Sequence, residues 1–96
     1  MSMYQAPLLT ADEVISIAQQ ALRIQSWPYD TAVGLQPTWR GISEHVLGQE
    51  GKPVGLWSVS FLTPAGLLDQ ENQFIEIDDT RRAPLGILTS HNYFFL

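Results

Sequence analysis

The stretch from residue 54 to residue 63, VGLWSVSFLT, decides the fold of this chain. Large apolar residues alternate there with serines, in the order Trp57, Ser58, Val59, Ser60 and Phe61. Successive side chains of a β-strand point to opposite faces of its sheet. The alternation therefore predicts an antiparallel strand with one face in the core and the other face exposed.

A second strand with the same pattern is predicted over 73–77. Ile75 and Ile77 share one face of this strand, while Phe74 and Glu76 share the other. The period of two again predicts a strand that is buried on one side.

The remaining strands are less sharply defined by the sequence. Residues 78–80, Asp-Asp-Thr, favour a turn, and a last strand is predicted over about 85–89. The apolar tail at 93–96 is expected to pack rather than fray. For 40–48 two alternatives stay open, a strand or a short helix over 42–47, because short apolar runs are ambiguous.

A helix is predicted upstream, over about 11–25. Thr10 and Glu13 have the spacing of a capping box, and Leu9 and Val14 occupy the two hydrophobic-staple positions. At about 100° per residue, the apolar side chains share one half of the helix surface. These residues are Ala11, Val14, Ile15, Ile17, Ala18, Ala21, Leu22 and Ile24. So wide an apolar face favours packing against a sheet.

This order of elements predicts an α+β fold. One N-terminal amphipathic helix would pack on a three- to four-stranded antiparallel meander sheet, which gives two layers around one core. A chain of 96 residues fits a single domain. Its expected parts are the helix at about 11–25, a linker at 26–39 and the sheet at about 40–96.

The charge distribution bears on the kind of partner. The chain has a net charge of −5. Between Gly41 and Asp79, seven acidic residues stand against Lys52 alone, which makes that segment six charges negative. Such a field repels nucleic acid and anionic membranes and attracts basic surfaces. The sequence therefore favours a protein partner with a basic surface over a nucleic acid or a membrane, and ordinary solubility is the alternative explanation of the same charge.

Other features bear on compartment. The chain contains no cysteine, which excludes disulfides, thiol catalysis and cysteine-ligated zinc and favours a reducing compartment. Its apolar runs are far shorter than the roughly 20 residues that a membrane-spanning helix needs. Residues 1–9 lack the pattern of a secretory signal. We expect a cytoplasmic protein.

The motifs of catalysis are missing from the sequence. His45 and His91 do not stand in a zinc-ligand pattern, and neither a nucleophile elbow nor a phosphate-binding loop occurs. Glu76 and Asp78 would share one strand face at about 7 Å if extended, which is usual for solvated acids. These observations predict a protein without catalytic residues, metal or cofactor. A small enzyme that uses either histidine with a carboxylate stays a third hypothesis.

Candidate partner-binding residues follow from the charge pattern and from residue type. Tryptophan and arginine are enriched at the energetically dominant points of interfaces, and the acidic residues of the 41–79 segment would face a basic partner. The candidates are Trp39, Arg40, Glu44, Asp69, Glu71, Glu76, Asp78 and Asp79.

Three motifs carry a resemblance to a known group of proteins. They are Ile-Ala-x-x-Ala-Leu at 17–22, Trp-x-Val-x-Phe at 57–61 and Phe-Ile-Glu-Ile-Asp-Asp at 74–79. Over about residues 10–89 the chain resembles small bacterial immunity proteins that neutralise polymorphic toxins, and the related PepSY-like and cystatin-like helix-on-sheet domains. Such domains often follow the acidic turn with glycine, whereas this chain has Thr-Arg-Arg-Ala-Pro at 80–84, which predicts a longer hairpin.

The resemblance implies a binding protein without catalytic residues and transfers no interface positions. The leading hypothesis is an immunity-type inhibitor that blocks a cytoplasm-acting bacterial toxin or effector through an acidic surface. The alternative is a small-molecule-binding or accessory α+β domain without catalysis.

Overall fold

The computed structural model describes residues 6–66 and 69–96. Within these ranges one helix, α1, precedes five strands, β1 to β5. Their bounds are Ala11–Ile24 for α1, Gln36–Ser43 for β1, Val54–Leu62 for β2, Asn72–Asp78 for β3, Ala83–Leu88 for β4 and Tyr93–Phe95 for β5. The strands pair antiparallel in chain order. The α+β class is confirmed, but the predicted three to four strands are wrong, because the sheet in the described residues has five.

The capping box sets the start of α1. The Thr10 side chain accepts a hydrogen bond from the Glu13 amide at 3.2 Å, and Glu13 Oε1 accepts one from the Thr10 amide at 3.0 Å. These bonds satisfy two of the amides that a helix start leaves unpaired. The predicted cap is therefore confirmed.

One face of the sheet packs against α1 and forms the main core. The helix contributes Val14, Ala18, Ala21 and Leu22. The strands contribute Trp57, Val59, Phe61, Ile75, Ile77 and Ile87. The predicted burial of one face of β2 and β3 is confirmed by these apolar residues, but the serines, Phe74 and Glu76 on the other face are half-buried rather than exposed.

The first strand begins earlier than the sequence predicted. Strand β1 starts at Gln36, inside the predicted linker 26–39, and ends at Ser43. Pro37 suggested irregular chain, but β1 lies at the edge of the sheet, where a missing amide donor costs no ladder hydrogen bond. Of the two alternatives for 40–48, the first four residues are strand and the rest is turn and loop.

The apolar tail forms the last strand. The Thr89 hydroxyl accepts hydrogen bonds from the amides of His91 and Asn92, and the Thr89 amide donates to the Asn92 carbonyl at 2.9 Å. This turn folds the tail back, so that Tyr93 pairs with Leu88. The tail is therefore ordered by pairing with β4, although Phe94, Phe95 and Leu96 are exposed rather than packed in the core.

In the described ranges, α1 is too short and too polar to cross a membrane. The prediction that residues 1–9 are not a secretory signal falls largely on residues 1–5, which lie outside those ranges.

Candidate functional site

The candidate site is the face of the sheet opposite α1, which we call the open face. Residues that pair directly across neighbouring strands share a face. The register opposes Ser58 to Glu76, Phe74 to Leu88, and Leu88 to Tyr93. All five side chains therefore lie away from the helix.

The centre of the open face is hollowed. One depression of about 300 Å³ is lined by Arg40, Leu56, Ser58, Phe74, Glu76 and Leu88. A second, of about 250 Å³, is lined by Ser43, His45, Val46, Leu47, Leu56, Glu76, Leu88 and Tyr93. Because they share Leu56, Glu76 and Leu88, we treat them as one feature and call it the groove.

The loop after β1 closes one end of the groove. Val46 is buried with Val54 and Leu56 in a small second cluster, against which Leu85 packs. Within the loop, the Gly51 amide donates to the Glu44 carbonyl at 3.0 Å. This packing and bonding hold Glu44 and its neighbours at the rim of the groove.

A hydrogen bond between two side chains fixes the polar centre of the groove. The Tyr93 hydroxyl donates to Glu76 Oε1 at 2.8 Å. Burial, reinforced by this bond and by the Glu76 charge, raises the pKa of the Tyr93 hydroxyl well above its ordinary value. Tyr93 therefore stays a protonated donor throughout the physiological range.

The position of Tyr93 depends on its neighbours. Its ring lies over Gly86, where a Cβ atom would collide with the ring. The ring also makes an edge-on contact with that of Phe95, with centroids 5.0 Å apart. Glycine at position 86 of β4 therefore leaves the room that the tyrosine ring occupies.

A β-bulge in β1 lies at the rim of the groove across from Tyr93. The register of β1 and β2 shifts between Trp39 and Gly41, so that Arg40 is the extra residue. Gly41 has a φ of 85°, in the left-handed region that glycine adopts without strain. Bulges of this kind redirect side chains at sheet edges, and here the Arg40 side chain lines the groove.

The structure brings together three of the eight predicted residues. Arg40 and Glu76 line the same depression, and Glu44 lines an adjoining one of about 630 Å³ that also includes Arg40. Trp39 lies instead on the helix side of the sheet, with its ring centroid 5.5 Å from that of Trp57.

Asp69 and Glu71 lie at the far end of the molecule. They border a separate depression beyond the end of β2, whereas Glu44 precedes the start of β2. Since β2 has nine residues, its two ends are about 26 Å apart. The acidic segment therefore does not form one continuous patch.

The two remaining candidates, Asp78 and Asp79, are buried, with exposures of 4% and 3%. Asp78 Oδ1 accepts hydrogen bonds from the amides of Thr80 and Arg81, which stabilise the turn. Asp79 is likewise bonded within the chain. Both carboxylates therefore support the fold. The prediction from the sequence placed this turn on the surface and so overestimated the negative charge of the surface.

The two histidines lie in different surroundings. His45 borders the groove near Glu76, but its ring makes no hydrogen bond to a carboxylate in the described part of the chain. His91 is exposed in the turn before β5. Among the described residues, no group of three or more histidine, aspartate or glutamate side chains is close enough to hold a metal ion.

Several groove residues were not among the candidates from the sequence. They are Ser43, Val46, Leu47, Leu56, Ser58, Phe74, Leu88 and Tyr93. The alternation of β3 could have indicated Phe74 as a site residue. It places Phe74 on the side away from the core, where an aromatic residue is unusual. Tyr93 gave no such indication, since its strand is three residues long.

Comparison of the chain with protein-family models, with curated proteins and with solved structures finds no match.

Proposed function

We propose that this chain is a non-catalytic binding protein that docks on a protein partner through the open face. The observation that supports this most is the apolar character of that face. In a two-layer α+β domain, the sheet face away from the helix is usually polar. Here it carries Leu56, Phe74, Leu88 and Tyr93 around the groove.

The charge of the chain favours a basic partner. The net charge is −5, and Glu44 and Glu76 lie at or in the groove. Opposite charge speeds diffusional encounter, while buried anchors determine how long the complex lasts. Arg40 at the rim is an anchor of the type enriched at interfaces.

The partner we propose is a bacterial toxin or effector that acts in the cytoplasm, so that the chain works as an immunity-type inhibitor. This class is supported by the resemblance of the motifs at 17–22, 57–61 and 74–79 to immunity proteins. In such a complex, the open face would cover the basic active-site cleft of the toxin and exclude its substrate.

The test is co-expression with the product of the adjacent gene in a growth assay. We expect that product to arrest growth and this chain to restore it. A Leu88→Glu variant should fail to protect, because it buries a charge at the interface. A Val33→Glu variant is the matched control, since Val33 is 47% exposed and Leu88 is 42% exposed, and Val33 is distant from the groove in the loop before β1.

Two outcomes would overturn the proposal. One is a neighbouring product that is harmless or that this chain neither binds nor neutralises. The other is full protection by the Leu88→Glu variant, which would place the interface elsewhere.

The groove also supports a second candidate function, the binding of a small molecule. Its larger part, of about 300 Å³, is at the lower end of the range of ligand pockets, and apolar walls with few polar groups are typical of them. A thermal-shift screen should then find a metabolite that raises the Tm of the native chain but not of a Phe74→Ala variant. If no compound does so, this candidate is rejected.

A further inference from the structure

From the geometry of the groove we infer that it takes an arginine or lysine side chain of the protein partner, with Glu76 as the docking carboxylate. This inference rests on the proposed function and specifies the chemistry of the open face. Three features of the groove favour a cation there: the two oxygens of Glu76, the apolar walls beside them and the fixed position of Tyr93.

The two carboxylate oxygens of Glu76 differ in their surroundings. Oε1 accepts the hydrogen bond from the Tyr93 hydroxyl. Oε2 accepts none from any residue that the structure describes. An ionised carboxylate can accept about four hydrogen bonds, so the group is held in place by one oxygen and offers the other to a ligand.

The walls of the groove suit the stem of a basic side chain. Leu56, Phe74 and Leu88 line the depression beside the carboxylate. Lysine and arginine lay their methylene stems along apolar surface while the cationic end reaches a polar group. A neutral polar side chain would lose the attraction to Glu76, and an acidic one would be repelled.

The carboxylate is positioned before any partner arrives. Tyr93 is confined by Gly86 beneath its ring and by the edge-on contact with Phe95. A group that is already oriented loses less conformational entropy on binding, which improves affinity.

Among the described residues, no cationic group forms an ion pair with Glu76. Arg40 lines the same depression as Glu76, yet within residues 6–66 and 69–96 no ion pair joins the two. Arg82 is instead paired with Glu13 at 2.7 Å, and Arg81 with Asp78 at 3.8 Å. The Glu76 charge is therefore available to an incoming cation.

The test is a pair of NMR titrations of the isotope-labelled full chain. The probes are the capped tripeptides acetyl-Leu-Arg-Leu-amide and acetyl-Leu-citrulline-Leu-amide, because citrulline keeps the shape of arginine and removes its charge. With the arginine peptide we expect saturable changes in the chemical shifts of the Ser58, Glu76 and Leu88 amides. The affinity for the citrulline peptide should be lower by on the order of tenfold.

Three variants sharpen the result. Glu76→Gln should lower the affinity for the arginine peptide to that for the citrulline peptide. Glu71→Gln is the matched control, because it removes the same charge at the far end of the sheet and should leave the affinity unchanged. Tyr93→Phe keeps the Glu76 charge but no longer fixes the position of the carboxylate. This variant should bind the arginine peptide more weakly than the native chain does, but still more tightly than it binds the citrulline peptide.

The outcomes separate this inference from the proposed function. Equal binding of the two peptides in the groove would overturn cation recognition while leaving docking on the open face intact. Shifts confined to the Asp69–Glu71 end, or no saturable shift with the arginine peptide, would also overturn it. Failure of the proposed function is decided independently, by the growth assay.

Discussion

The carboxylate of Asp79 is buried against the indole of Trp57, whose Nε1 donates a hydrogen bond to Asp79 Oδ1 at 2.9 Å. The amides of Leu8 and Leu9 donate to the same carboxylate at 2.7 and 2.9 Å. One acidic side chain thus joins the segment before α1 to β2 and to the end of β3. It links the helix layer to the sheet layer at this end of the molecule.

The first prediction is that Asp79→Asn destabilises the fold by about 2–4 kcal/mol at pH 7, because a charged acceptor with three donors is replaced by a neutral one. Urea unfolding of both proteins measures the difference in the free energy of unfolding. Asp69→Asn, at an exposed position, is the control and should change it by less than about 0.5 kcal/mol.

The stability that Asp79 contributes depends on pH. Burial raises the pKa of the carboxyl, but the Leu8, Leu9 and Trp57 hydrogen bonds and the charge of Arg82 together hold it below its ordinary value of 3.8. A lowered pKa contributes stability that is present above pH 3.8 and is lost as the pH falls through the lower value in the folded protein. We expect a smaller loss of stability between pH 5 and pH 3 in Asp79→Asn than in the native chain. An identical pH dependence in the two proteins would contradict the assignment.

The second prediction concerns the cap of α1. Thr10→Ala removes the hydroxyl that accepts from the Glu13 amide and should cost about 1 kcal/mol. Ser16→Ala, an exposed position within α1, is the control and should be neutral or slightly stabilising because alanine has the higher helix propensity. Urea unfolding should separate the two variants, and equal stabilities would argue against the capping box.

The elements that could be predicted from the sequence are those whose hydrophobic pattern repeats over many residues. Helix α1 and strands β2 and β3 each repeat their pattern over several residues, and the structure agrees within one or two residues. The start of β1 and the pairing of β5 escaped prediction, for different reasons. Pro37 suggested a linker, and β5 is too short to show a period, so its pairing depends on the turn at Thr89.

The site was harder to predict because it depends on distant pairs. Glu76 was named from its charge, but its partner Tyr93 is 17 residues away and faces it only through the register of β3, β4 and β5. Asp79 was assigned to the surface because turns are usually polar. Its burial depends on donors about 70 residues earlier in the chain, which local patterns do not encode.

The third prediction tests the contact between Gly86 and Tyr93. Gly86→Ala places a Cβ against the ring, so the ring must shift and its hydrogen bond to Glu76 must break. We expect a loss of about 1–3 kcal/mol and large changes in the Tyr93 ring resonances in NMR spectra. Gly66→Ala, where an added Cβ would meet open space, should leave both unchanged. Native Tyr93 resonances in Gly86→Ala would show that the contact is not close.

The fourth prediction rests on the proposed function and concerns association with the partner that the co-expression assay is designed to identify. Glu76 lies in β3 and Glu71 lies just before it, five residues earlier in the chain, which gives a separation of about 17 Å in extended backbone. This exceeds the Debye length of about 10 Å at 0.1 M salt but not that of about 30 Å at 0.01 M. At 0.1 M we expect Glu76→Lys to slow association on the order of tenfold and Glu71→Lys to change it little, whereas at 0.01 M both should slow it. Stopped-flow measurements at the two salt concentrations give these rates. Equal slowing by both variants at 0.1 M would mean that the partner responds to the overall charge of the chain rather than to the groove.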